Sequence, residues 1–258
     1  METKLFDDII FGPLRSRRLG VSLGVNLLPS DFKLCNFDCI YCECGWTDLK
    51  KRSKSKFYSV TKVVSLLEHK LINLLEDGVE LNSITFAGNG EPTLHPNFLE
   101  IINAAIALKE KYYPNAKVSV LSNSLMLHRI DVFLALQKVD NAILKLDAGS
   151  EFMFQSINKP LNARSLRWVV DQLKRFNGKC TIQTLFLKGI SDGKIIDNTT
   201  DVEVGMWLEL LKEINPKEVM LYSIDRPTPE LHLEKVSHET LTNIANRVIN
   251  SGINATVY

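Results

Sequence analysis

The chain has 258 residues, 45% hydrophobic and 24% charged, the proportions of an ordinary globular protein rather than a disordered or fibrous one. Its 31 basic and 30 acidic residues leave a formal charge of +1, so no global field draws it towards nucleic acid or an anionic membrane. No apolar run reaches the roughly 18 residues of a membrane span. The opening METKLFDDIIFGP has neither the basic flank nor the long apolar core of a signal peptide, so a cytoplasmic chain without membrane association is expected. Thiols stay reduced in that compartment.

The length suits one large domain, read as a single unit over 1–258 with a core over roughly 16–225 and a C-terminal helix and tail over 226–258. In chain order, short apolar runs rich in Val, Ile, Leu and Phe predict strands at 22–28, 83–87, 117–121, 142–147, 180–186 and 218–224. Val257 and Tyr258 end a further short strand. Helical spacing predicts helices over 60–76, 97–111, 126–138, 164–176, 202–214 and 238–250. Gly78 stops the first of these; Ser237 caps the last and Gly252 lies past its end. Six strands alternating with helices predict an α/β fold with parallel pairing and right-handed crossovers. The sheet either closes part-way into a barrel or lies flat. Chemistry belongs at the carboxyl ends of the strands in both cases.

The loop after the first strand reads CNFDCIYCECG and holds four of the five cysteines in the chain. Cys35, Cys39 and Cys42 have the spacing C-x3-C-x2-C, and Cys44 follows Glu43. Thiolates bind zinc and iron–sulfur clusters. A structural zinc site takes four closed ligands, usually two pairs, and no second pair exists here. Strand alternation turns Cys180 towards the helices, as a small core residue, and turns the polar Gln183 towards an enclosed site.

With Tyr41 just before the third cysteine, this loop resembles that of the radical SAM superfamily. The resemblance implies a partial (β/α)6 TIM-like barrel. Cys35, Cys39 and Cys42 would hold a [4Fe–4S] cluster, and S-adenosylmethionine would fill the fourth iron. Tyr41 would contact the adenine. Cys44 lies outside the family pattern and is taken as a bystander, because a ligand there would cap the open iron. The reduced cluster would cleave S-adenosylmethionine, and the resulting 5′-deoxyadenosyl radical would take a hydrogen atom from the substrate.

The second strand runs into ITFAGNGEPTLHP. Alone, this is a tight turn: Gly88 and Gly90 let the backbone approach a ligand, and Pro92 and Pro96 stiffen the exit. One βα unit after the cysteine loop, it resembles the family's glycine–glycine–glutamate motif, with Asn89 where a glycine often stands. Gly88, Asn89, Gly90 and Glu91 would then hold the ammonium group of S-adenosylmethionine. His95, before a proline at a helix start, reads as a surface or capping residue rather than a base. At the end of the third strand Ser122 and Asn123 make either a polar turn or, by resemblance, the ribose contact.

Lys145 and Asp147 share one face of the fourth strand with Ile143. Opposite charges there either pair with each other or contact substrate or S-adenosylmethionine; a Schiff-base role for Lys145 is the third reading. With Gln183 on the fifth strand and Tyr222 on the sixth, they are the candidate catalytic set. Asp225 and Arg226 bound the same rim. Two basic stretches, one with Arg15, Arg17 and Arg18 and one with Lys50, Lys51, Arg52, Lys54 and Lys56, are solvated loops or receivers of phosphate groups.

Within the superfamily, SRRLGVSLGVNLLP, LKLDAGS, INKP and SIDRP resemble the branch of the tRNA wyosine-base synthases. Their second-cluster cysteines and N-terminal extension have no counterpart in this sequence. The resemblance therefore implies a substrate such as RNA, a nucleotide, a peptide or a metabolite rather than the same tRNA reaction. It also implies an electron donor such as flavodoxin or ferredoxin. Two other readings stand beside it: an activase that makes a glycyl radical on a partner protein, and a non-catalytic zinc or RNA-binding module.

Overall fold

The computed structural model describes residues 4–258; the first three residues of the opening stretch lie outside the described residues. The strands are β1 Ile10–Ser16, β2 Gly20–Val25, β3 Ser83–Phe86, β4 Lys117–Ser122, β5 Asn141–Lys145, β6 Thr181–Ser191, β7 Lys194–Asp197, β8 Glu218–Ser223, β9 Leu233–Lys235 and β10 Ala255–Val257. The helices are α1 Leu49–Arg52, α2 Val60–Glu76, α3 Phe98–Tyr112, α4 Ile130–Lys138, α5 Glu151–Asn158, α6 Leu166–Lys174, α7 Asp201–Ile214 and α8 His238–Asn250.

One sheet runs in the order β1-β2-β3-β4-β5-β6-β8-β10. All neighbours from β2 to β10 are parallel, and β1 joins antiparallel at the edge. The two edge strands do not pair with each other, so the sheet is an open, partial barrel. The expected α/β architecture holds, with six parallel strands in sequence and β10 as a seventh.

Alternation explains the layers. Leu23, Val25, Ile84, Phe86, Val118 and Val120 leave the outer face of the sheet and are wholly buried. They form one core with Val63, Leu67 and Leu71 of α2 and Ile101, Ile102 and Ala105 of α3. Each large aliphatic side chain buried this way contributes about 1.5–3 kcal/mol. The inner face is polar instead: Ser22, Ser83, Thr85 and Ser119 form a ladder of hydroxyls linked at 2.7–3.0 Å. Each hydroxyl is satisfied by the next strand, so burial leaves none orphaned.

Several elements depart from the expectation, the short α1 and β9 among them. β1 was masked in the sequence by Gly12 and Pro13; the structure puts Pro13 in an edge strand at a register shift between Phe11 and Leu14, where a missing N–H is tolerated. β6 continues to Ser191 and turns back into β7 through Asp192 and Gly193, both at positive φ (49° and 71°). That is a two-residue Asp-Gly hairpin, whose signal is local in the sequence. α5 is a further helix beyond the expectation; Ser150 caps it by accepting from the Met153 amide. α4 starts at Ile130 rather than 126, after a turn.

Candidate active site

The cysteine loop is stitched into the barrel on both sides. Towards β3, the Leu34 amide donates to the Asn89 carbonyl at 2.8 Å and the Glu91 amide donates to the Leu34 carbonyl at 3.0 Å. Gly90, at φ 137°, allows this: a Cβ there would sit 1.9 Å from the Leu34 carbonyl oxygen. Towards α5, the Asp38 amide donates to the Asn158 carbonyl at 3.0 Å and the Ile40 amide to the Ile157 carbonyl at 3.0 Å. A segment without regular structure is thereby held at the carboxyl ends of the strands.

It walls a cavity of about 240 Å³. Cys35, Cys39, Cys42 and Cys44 line it with Lys33, Tyr41, Gly88, Gly90, Glu91, Ser122, Asn123, Lys145 and Gln183. The structure thus brings together most of the residues singled out from the sequence. The Asn89 side chain points away from the cavity, accepting from the Phe6 amide at 2.8 Å and donating to the Phe6 and Pro29 carbonyls at 2.9 and 2.8 Å. It clamps the N-terminal segment and the approach to the cysteine loop. Asp147 and Tyr222 stand behind the cavity wall rather than in it.

Glu91 is buried. One carboxylate oxygen accepts from the Thr93 hydroxyl and amide and from the Ser122 hydroxyl at 2.8 Å; the other accepts from the Asn123 amide at 2.7 Å. Burial pushes its pKa up, against those donors, so a cation arriving in the cavity would be favourably received. Asp147, also buried, accepts from the Tyr41 hydroxyl, from Asn158 Nδ2 at 2.7 Å and from the Leu185 amide at 2.9 Å. Lys145 pairs with it at 3.2 Å and donates to the Tyr41 hydroxyl. Burial alone would lower the Lys145 pKa, but Asp147 above all holds it high, so this lysine stays an ammonium rather than a free amine. That argues against a Schiff base. Tyr41 is pushed up by burial and by Asp147.

The thiols have polar neighbours. Cys35 Sγ faces Asn123 Nδ2 at 3.5 Å and the Phe37 amide at 3.4 Å; Cys39 Sγ faces Asn158 Nδ2 at 3.6 Å. Burial pushes the Cys35 and Cys39 thiols up to about 12 and about 11, whereas a hydrogen bond from Cys44 lowers Cys42. Cys44 also lies 3.6 Å from the Gly88 carbonyl. Lys33 was not found from the sequence. The residue is 3% exposed, and its ammonium donates to Asp38 and to the Gly45 carbonyl, both at 3.0 Å. Burial would lower its pKa, but Cys42, Cys35, Cys39 and Asp38 outweigh that and raise it. Its spacing two residues before Cys35 is a signal only when a lysine is expected to be buried. Cys180 lies apart, buried in the core as expected.

These residues fit an iron–sulfur cluster. Three closely spaced cysteines line one cavity, the donor type that a cluster takes, and Lys33 beside them would offset the negative charge of a thiolate-ligated cluster. Glu91 and the glycine backbone beside it suit the ammonium of an amino-acid moiety.

The comparisons agree. The sequence matches the radical SAM superfamily over residues 30–202. It is 32% identical over 223 residues to a UPF0026 protein of Helicobacter pylori, covering 85% of this chain and 67% of that one. A radical SAM methyltransferase from Sphaerobacter thermophilus shares the fold with a TM-score of 0.67 at 19% identity, covering 92% of this chain. This chain spans 65% of the methyltransferase's length. Archaeal TYW1 shares the fold with a TM-score of 0.52 at 15% identity, over 89% of this chain and 71% of that one. No described helix is long and apolar enough to cross a membrane. The chain belongs to the radical SAM superfamily and is an enzyme whose cofactors are a [4Fe–4S] cluster and S-adenosylmethionine.

Proposed function

We propose that this enzyme abstracts a hydrogen atom from an RNA- or nucleotide-like substrate at the carboxyl ends of its strands, in the cytoplasm, with an electron donor of the flavodoxin or ferredoxin type. The observation that carries the radical chemistry is the shared cavity of Cys35, Cys39, Cys42 and Glu91. When bound, the two cofactors together supply a primary carbon radical by reductive cleavage. The chain does the rest. Cys35, Cys39 and Cys42 ligate, with Asn123 and Asn158 donating to their sulfurs. Glu91, with Gly88 and Gly90, receives the methionine ammonium. Ser122 and Asn123, which line the same cavity, would contact the ribose. The ring of Tyr41, whose hydroxyl is held by Lys145 and Asp147, would contact the adenine. Lys145 and Gln183 form the cavity wall on the substrate side, while Asp147 and Tyr222 hold them in place. The buried floor keeps water from the reactive carbon.

The arginines of the β1–β2 hairpin, Arg15, Arg17 and Arg18, favour an anionic substrate over a neutral one. The zinc or RNA-binding module is set aside by superfamily membership, and a glycyl-radical activase remains a different outcome of the same test. Anaerobic reconstitution with iron and sulfide, then reduction with S-adenosylmethionine, should yield about four irons per chain and 5′-deoxyadenosine. Cys39→Ala should abolish the deoxyadenosine. Zinc in place of iron, or a cluster that never cleaves S-adenosylmethionine, would sink the proposal. Transfer of label to a partner protein rather than to a nucleotide would favour the activase.

A further inference from the structure

The three arginines of the 15–18 stretch have different fates. Arg15 is exposed, and Arg17 reaches Asp225 beyond β8 at 2.8 Å on the surface. Arg18 turns inward. Its guanidinium carbon stands 4.8 Å from the centre of the Tyr222 ring. Its Nη1 is buried and has no hydrogen-bond partner among the described residues. The Tyr222 hydroxyl accepts from Gln183 Nε2 at 2.7 Å, and Gln183 lines the cofactor cavity.

The position follows from the topology. Arg18 lies in the turn between β1 and β2, at one edge of the open sheet, and Tyr222 lies on β8 near the other. The arginine hairpin therefore reaches across the side of the barrel that the strands leave open. Both cations that line the cavity already have partners: Lys33 has Asp38 and the Gly45 carbonyl, and Lys145 has Tyr41 and Asp147. Arg18 has spare donors. A guanidinium N–H withdrawn from water without an acceptor is costly, and such a group calls for an acceptor from outside the chain. The planar fork of arginine matches the paired oxygens of a carboxylate or a phosphate, and the tyrosine face holds that plane in orientation.

We propose that Arg18 is the oxyanion-binding residue of the substrate site, receiving a carboxylate or phosphate group of the substrate through the open side of the barrel. This rests on the reading of the cavity as a radical SAM site, and it narrows the substrate to one that carries such a group.

The test measures binding apart from turnover. Inorganic phosphate and acetate are titrated separately into the reconstituted enzyme, and broadening of the 31P and methyl 1H resonances is followed. Broadening is expected for one or both probes, and which one broadens distinguishes phosphate from carboxylate. Arg18→Gln should weaken the interaction about tenfold, the effect of one lost charge-assisted hydrogen bond. Arg15→Gln, at an exposed position on β1, should not. Arg18→Lys keeps the charge without the fork and should fall between; it decides the matter if Arg18→Gln loads less iron than the wild type. Equal broadening in every variant, or none in the wild type, overturns the proposal. Deoxyadenosine assayed on the same wild-type samples reports separately on the radical SAM reading, so either idea can fail while the other stands.

Discussion

Glu91 and Lys33 are both buried and charged, and each is explained by what surrounds it. Glu91 satisfies the Thr93, Ser122 and Asn123 donors, so Glu91→Gln would set an NH2 against one of them. The expected loss is about 1–3 kcal/mol of stability in urea denaturation of the cluster-free chain. Binding of S-adenosylmethionine to the iron-loaded protein should weaken at least roughly tenfold by equilibrium dialysis, the cost of a lost ion pair with the ammonium. Unchanged affinity would remove Glu91 from the cofactor site. Lys33 lies against three cysteines, so its charge should stabilise the reduced cluster. Lys33→Met is expected to lower the cluster midpoint potential by on the order of 100 mV, from Coulomb's law at an effective dielectric of about 20. A redox titration followed by electron paramagnetic resonance measures this; no shift would mean that Asp38 already cancels the lysine.

At the scale of elements, the contact between the cysteine loop and the β3 loop depends on Gly90. Gly90→Ala places a methyl group 1.9 Å from the Leu34 carbonyl and strains a φ of 137°. The bridge from Leu34 to Gly90 should open, at a cost of about 1–3 kcal/mol. Reconstituted iron per chain should fall with it, whereas Gly193→Ala, where an added Cβ meets nothing within 4 Å, should leave iron loading intact. Equal iron in the two variants would show that the loop holds its shape without the stitch. The β6–β7 hairpin and α5 show why some elements escaped the sequence reading. Asp192-Gly193 is a local signal that was present but overshadowed by the strand–helix rhythm. α5 is only eight residues long, too short for periodicity to stand out.

For the whole molecule, His95 ties three segments together. Its Nε2 donates to the Tyr58 carbonyl at 2.9 Å, and its Nδ1 accepts from the Asn97 amide at 3.1 Å. Both nitrogens are engaged in the neutral form, and burial first, then Arg129, lowers its pKa. The unfolded chain therefore takes up this proton at a higher pH than the folded one. Stability from His95 is complete above the ordinary histidine value and declines as pH falls through about 6.5, by up to about 1.4 kcal/mol per pH unit until the folded group titrates. Urea denaturation between pH 7.5 and 5.5 should show the decline in wild type and a shallower one in His95→Gln. Parallel curves would assign the acid sensitivity to other groups.

The sequence by itself determined the strand–helix alternation, the parallel sheet and the cysteine and Glu91 loops, because periodicity and ligand spacing are local properties. It also determined that Cys180 belongs to the core, through strand alternation. Tertiary structure alone decided that the Asn89 side chain clamps the N-terminal segment, that Asp147 stands behind Tyr41, and that His95 is buried between loops. It decided, too, that Lys33 and Arg18 turn inward while Arg15 and Arg17 do not. The direction of a polar side chain in a loop is set by which distant backbone groups need a partner, and those are known only once the sheet has brought the strand ends together.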